Sequence, residues 1–204
     1  MMGKVQGLFP KFYYHGEVEA HQYLKGLLLS ELAFANTSQP REWNCTLQSS
    51  FESDTNNEDF SWDVFAKAIR PNLDDMHEQL GGKPTVRIEM TESWINVYKK
   101  GDSQEVHTHC GGDNTTFSCA YLLQYDPEVD AKFIFYNPDQ NMHLGYFSKH
   151  YPVVNTWFPE CKEGDILIFP SYLHHQVDTQ REDSERITVS ANFIMSTEIP
   201  LIKR

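Results

Sequence analysis

The chain has 204 residues, 40% hydrophobic and 13% aromatic, which is enough for one domain around a substantial core and too apolar for a disordered or fibrous protein. Its formal net charge of -12 disfavours nonspecific attraction to nucleic acid or anionic membranes, since both need concentrated Lys and Arg. It contains no apolar run of about 18 residues, and the opening MMGKVQGLFPKFYYHG lacks a secretory apolar core, so the expectation is a soluble, cytoplasmic protein.

GEVEAHQYLKGLLLSELAFAN, from Gly16 to Asn36, predicts a helix with a heavy apolar stripe packed on a sheet. Shorter alternation then predicts a strand around Trp43 to Ser50 and a polar loop through Asn57. In EDFSWDVFAKAIRPNLDDMHEQLGG the residues Phe65, Ile69, Leu73, Met76 and Leu80 recur at helical spacing, which predicts a long amphipathic helix kinked or split at Pro71. From Thr85 the runs TVRIEMTESWINVYKKGD, TTFSCAYLLQY, AKFIFYN, NTWFP, GDILIFP and RITVSANFIM are short and apolar or alternating, each bounded by Gly, Pro, Asp or Asn. Many short strands with no helical pattern between them predict an antiparallel sandwich or jelly roll, a mainly β fold with N-terminal helices. The expected organisation is a single domain over 1–204, with 1–83 as helical support carrying one or two strands and 84–196 as the β core. Cys45, Cys110, Cys119 and Cys161 form no CxxC pair, so they read as reduced and mostly structural.

Chemistry concentrates in two places. In VHTH, His107 and His109 stand two apart, so on a strand both imidazoles face the same side. The adjacent His174 and His175 follow the apolar run DILIF and a Pro-Ser turn, where a two-sheet fold can return them beside the first pair. Histidines with open positions suit a redox-active iron or similar divalent ion better than a closed structural zinc site. The remaining histidines, His15, His21, His77, His143 and His150, read as surface or satisfied core residues.

In RITVSAN, Arg186, Thr188, Ser190 and Asn192 share one face, while Ile187, Val189, Ala191 and Phe193 share the other. If the polar face is the interior, a guanidinium there demands an anion, and Arg grips a carboxylate with two parallel hydrogen bonds. The aromatic segment FYNPDQNMHLGYFSKHYP could form a lid or groove wall, or ordinary surface packing.

These residues resemble the Fe(II)/2-oxoglutarate-dependent oxygenases, in particular the prolyl-hydroxylase-like oxygenases of bacteria and phages. The resemblance runs from about Trp43 to Phe193, with WINVYKKGD, VHTH, AYLLQYD, GDILIFPSYLHHQV and RITVSANF in the family's order. It implies a double-stranded β-helix that binds Fe(II), 2-oxoglutarate and O2 and couples C–H oxidation, as a hydroxylase, to decarboxylation of the cosubstrate to succinate. It makes His107, His109 and His175 the metal and catalytic residues, with Asp113 as reserve carboxylate, because the family usually has Asp or Glu where this chain has His109. It makes Arg186 the anchor of the far carboxylate of 2-oxoglutarate, with Tyr121, Thr188, Ser190 and Tyr98 as further contacts. The substrate would be a small molecule or a protein side chain, and oligomeric state is not legible. Two rivals remain, a cupin-type metalloenzyme and a noncatalytic jelly-roll binding protein. A cupin has no need of Arg186.

Overall fold

The computed structural model describes residues 11–110, 115–137, 150 and 154–197. Among the described residues, ten strands lie in two antiparallel sheets. They are β1 (Tyr14–Glu17), β2 (Gln48–Ser49), β3 (Val86–Tyr98), β4 (Gln104–His107), β5 (Phe117–Gln124), β6 (Phe133–Tyr136), β7 (Thr156–Trp157), β8 (Asp165–Pro170), β9 (His175–Val177) and β10 (Arg186–Thr197). The helices are α1 (His21–Leu32), α2 (Asn56–Asp59) and α3 (Trp62–Gln79). The large sheet has the order β1-β8-β5-β10-β3-β2 and the small one β4-β9-β6-β7, and together they form the jelly roll.

The large sheet is covered on both faces, and its strand parity sorts the two cores. On one face Leu24 and Leu28 of α1 and Phe65, Ile69 and Met76 of α3 pack on Ile95, Leu123, Ile166, Val189 and Phe193. On the other, Ala120, Leu122, Leu167 and Phe169 meet Phe133, Phe135 and Val177 of the small sheet. Because both faces are covered, DILIFP of β8 is a continuous buried run and does not alternate.

Two local expectations are corrected. The first helix begins at His21, five residues after Gly16, because Tyr14–Glu17 pairs instead with Asp165–Ile168 at the sheet edge. Gly16 suits that edge: a Cβ there would lie 2.6 Å from the Tyr14 hydroxyl. The strand expected around Trp43 to Ser50 shrinks to Gln48–Ser49. Trp43 is committed through its side chain to Phe51 and Trp94, and the Asn44 amide donates to the Glu105 carboxylate in place of a strand neighbour. The long amphipathic helix is present as α3, one 18-residue helix, and of the two alternatives at Pro71 it does not split. Pro71 stands on its exposed face, where water can take the carbonyl that proline leaves unpaired. Among the described residues no helix is long and apolar enough to cross a membrane.

Candidate active site

Register, more than sequence spacing, assembles the histidines. His107 at the end of β4 is the direct cross-strand partner of His175 at the start of β9, and Phe135 of β6 is the next partner across. Opposed side chains on antiparallel strands meet closely, and the rings of His107 and His175 lie 4.2 Å apart. His109 falls just past the strand end, where its backbone amide donates to Ser171 O. Its ring lies 5.3 Å from His107 and 5.0 Å from His175. One ligand-capable atom from each of the three lies within 4.8 Å of the others. His174 points outward and is exposed, so the adjacent pair supplies one histidine and not two.

The other ring nitrogens explain what this cluster can do. Nδ1 of His107 donates to Glu105 O at 2.8 Å, Nδ1 of His175 to Leu173 O at 2.8 Å, and Nδ1 of His109 to Asn192 Oδ1 at 2.7 Å. Each acceptor is a carbonyl oxygen, so in each neutral ring the proton sits on Nδ1 and the lone pair on Nε2. The Nε2 atoms of His107 and His109 are 3.3 Å apart. With no proton between them they repel, and a shared cation removes the repulsion. A metal with bonds of about 2.1 Å needs this kind of convergence, and the outer hydrogen bonds fix the rings as second-sphere partners do in metal sites. Burial lowers all three pKa values, that of His109 to about 4 with the Asn192 hydrogen bond opposing, and that of His175 well below its ordinary 6.5.

Asn192 holds His109 through a short network. Its Oδ1 also accepts from Ser118 Oγ at 2.7 Å, Ser118 meets Ser171 Oγ at 3.0 Å, and its Nδ2 donates to Glu92 Oε2 at 3.2 Å. A register irregularity between β3 and β10 follows Asn192, beside the site.

Arg186, Thr188 and Ser190 project from β10 into the same narrow cavity as the histidines, which is also lined by Tyr98, Gln104, Trp94, Phe133 and Phe169. Small side chains at Ala120 and Ser190, neighbours across β5 and β10, leave that space. Arg186 is 0% exposed, and Nε, Nη1 and Nη2 all lack a hydrogen-bond partner. Its guanidinium lies over the Tyr98 ring at 4.8 Å and near that of Tyr125 at 5.8 Å. Ring faces offset only part of the desolvation of a buried cation, so the fork fits a bidentate anion entering the cavity. Burial raises the Tyr98 pKa to about 12 against the pull of Arg186, and its hydroxyl donates to Gln104 Oε1 at 2.8 Å.

Tyr121 is not in this cavity, which corrects its expected place beside the cosubstrate. On β5 it has the opposite parity to Ala120, so it faces the helices, packs on Phe65 and bonds His21 Nδ1 at 2.7 Å. Asp113 lies outside the described residues, as does most of the aromatic segment, residues 138–149 and 151–152. Sequence reading gave no role to Gln104, Glu105 or Trp94. Their signal is position: Gln104 and Glu105 stand three and two residues before His107, and Trp94 is the register partner of Ser190.

Residues 92–192 match the family model described as "Putative 2OG-Fe(II) oxygenase". The chain belongs to the Fe(II)- and 2-oxoglutarate-dependent oxygenases. This oxygenase uses Fe(II), 2-oxoglutarate and O2, and the match does not favour the cupin alternative. No curated protein matches the chain. Among solved structures, a Pseudomonas putida prolyl-4-hydroxylase superposes with a TM-score of 0.61 at 14% identity, covering 90% of this chain and 92% of that one. The non-heme α-ketoglutarate-dependent epimerase SnoN from nogalamycin biosynthesis gives 0.65 at 12%, covering 92% and 80%. HygX from Streptomyces hygroscopicus, solved with nickel and 2-oxoglutarate bound, gives 0.59 at 12%, covering 90% and 82%. At these identities the likeness is one of fold.

Two outcomes follow from the geometry. Tyr121→Phe should cost about 1 kcal/mol of unfolding free energy, the worth of one buried hydrogen bond, and leave 2-oxoglutarate affinity unchanged; denaturation and cosubstrate titration check the two halves. In the metal-free protein His109 protonates near 6.5 when unfolded but only at about 4 when folded. Between those values the unfolded chain binds more protons, so stability falls on acidification. Urea midpoints followed across this window should fall less steeply for His109→Gln.

Proposed function

We propose that Nε2 of His107, His109 and His175 hold Fe(II), and that Arg186 pairs with the far carboxylate of 2-oxoglutarate in a hydroxylase. The observation that carries this reading is a buried guanidinium with three unpaired donor nitrogens in one cavity with three converging imidazoles. Bound iron would supply the chemistry that activates O2 and couples cosubstrate decarboxylation to C–H oxidation.

The chain's own residues do the rest. The three histidines enter neutral, so the cosubstrate's carboxylates would offset the metal's positive charge. Asn192 sets the tautomer of His109. Arg186 orients the cosubstrate, Thr188, Ser190 and the Tyr98 hydroxyl give the cavity wall polar contacts, and Phe133 and Phe169 pack on His175 and exclude water. Asp113 is kept as the reserve carboxylate. The chain is read as one domain over 1–204. Its substrate is a small molecule or a protein side chain, and nucleic acid is disfavoured by the -12 charge. Four free cysteines fit a reducing cytoplasm.

The test is anaerobic titration of the Fe(II)-loaded protein with 2-oxoglutarate, with a visible metal-to-ligand charge-transfer band as the expected result; iron bound with no band would overturn the cosubstrate site. Arg186→Met should retain iron, weaken 2-oxoglutarate by roughly 2 to 5 kcal/mol, and leave the cosubstrate-free protein no less stable, because an unpaired buried charge is removed. Asn192→Ala should weaken metal affinity by about 10- to 100-fold, as read by competition with a chelator.

A further inference from the structure

On the solvent side of His107 and His109, across from Arg186, lies an open groove with an unusual wall. Trp43, Phe51 and Trp94 form a continuous aromatic surface, with ring centroids 4.9 Å apart for Trp43–Phe51 and 5.1 Å for Phe51–Trp94. It ends on His109, whose ring is 5.7 Å from that of Trp94. Phe51 is 41% exposed at the rim, although it would normally be buried. Two carboxylates, Glu92 and Glu105, also line the groove, and among the described residues no lysine or arginine does.

Glu105 is the more informative of the two. Its Oε1 accepts from Asn44 N at 3.0 Å, and its Oε2 is shielded from water without any hydrogen-bond donor. A buried carboxylate oxygen with no donor is costly unless a ligand brings one. Aromatic faces beside carboxylates select a cation carried on an apolar stem, because ring quadrupole and anion both attract it while the rings cover the methylenes.

We propose that this groove binds a substrate carrying a protonated amine on an aliphatic chain, with Glu105 and Glu92 holding the ammonium and the aromatic wall holding the stem. A C–H bond on that chain then lies beside the histidine cluster. The inference rests on the oxygenase reading for its catalytic meaning, but binding to the groove is measurable without turnover. The net charge of -12 adds long-range attraction for such a cation.

The experiment is a tryptophan-fluorescence titration of the full chain with Nα-acetyl-lysine amide, its norleucine and glutamate counterparts, and n-hexylammonium. The lysine compound should bind at least about tenfold more tightly than norleucine, as one charged hydrogen bond is lost. That preference should weaken with salt and collapse in Glu105→Gln, with Glu92→Gln giving a smaller loss. Tighter binding of the peptide-like probe than of hexylammonium assigns a protein side chain as the source, and the reverse assigns a small-molecule amine. Equal affinity for norleucine, preference for glutamate, or an unchanged preference in both carboxylate variants overturns the proposal. The 2-oxoglutarate charge-transfer band is read separately, so losing one result leaves the other standing.

Discussion

Three imidazole lone pairs directed at one another, with every ring proton engaged elsewhere, form the constraint around which this structure is organised. Each outward nitrogen is tied to a carbonyl oxygen, two from the backbone beside the ring itself and one from Asn192 on a different strand. Rotating a ring to relieve the repulsion would break one of those bonds inside a poorly hydrated site. A positive charge at the centre removes that repulsion, and among the described residues no carboxylate joins the cluster.

The buried guanidinium is the counterpart. A cation with no accessible surface and no hydrogen bond is a strong destabilising feature in isolation. Its neighbours on β10 are polar on the inner face and apolar on the outer, so one strand serves two cores. The same alternation that buries Val189 and Phe193 against the helices delivers Arg186, Thr188 and Ser190 to the cavity.

Much of this was legible before the structure. HxH and the polar face of RITVSAN are period-two patterns, and strands obey that period closely. The antiparallel architecture followed from the short runs after Thr85. What was not legible depended on contacts distant in sequence. Tyr121 had the composition of a cosubstrate residue but the wrong parity, and parity within TTFSCAYLLQY cannot be set without knowing which face meets the helices. Trp43 to Ser50 alternated like a strand, yet its aromatic side chain found Phe51 and Trp94 and its backbone found Glu105. Edge pairing likewise took Gly16 and Glu17 from the first helix, which no local propensity indicates.

The position of β10 also has a bearing on how the molecule comes into being. It is the last described strand in the chain, yet it lies between β5 and β3 in the middle of the large sheet. A chain emerging from the ribosome therefore holds β1, β8 and β5 on one side and β2 and β3 on the other, with the centre missing. All three histidines are made before the strand that carries Arg186 and Asn192. Closing the sheet joins residues as distant as Tyr98 and Arg186, a long-range pairing of the kind that forms slowly. Insertion of that one strand completes the hydrophobic core, the support of His109 and the cavity around the buried guanidinium together.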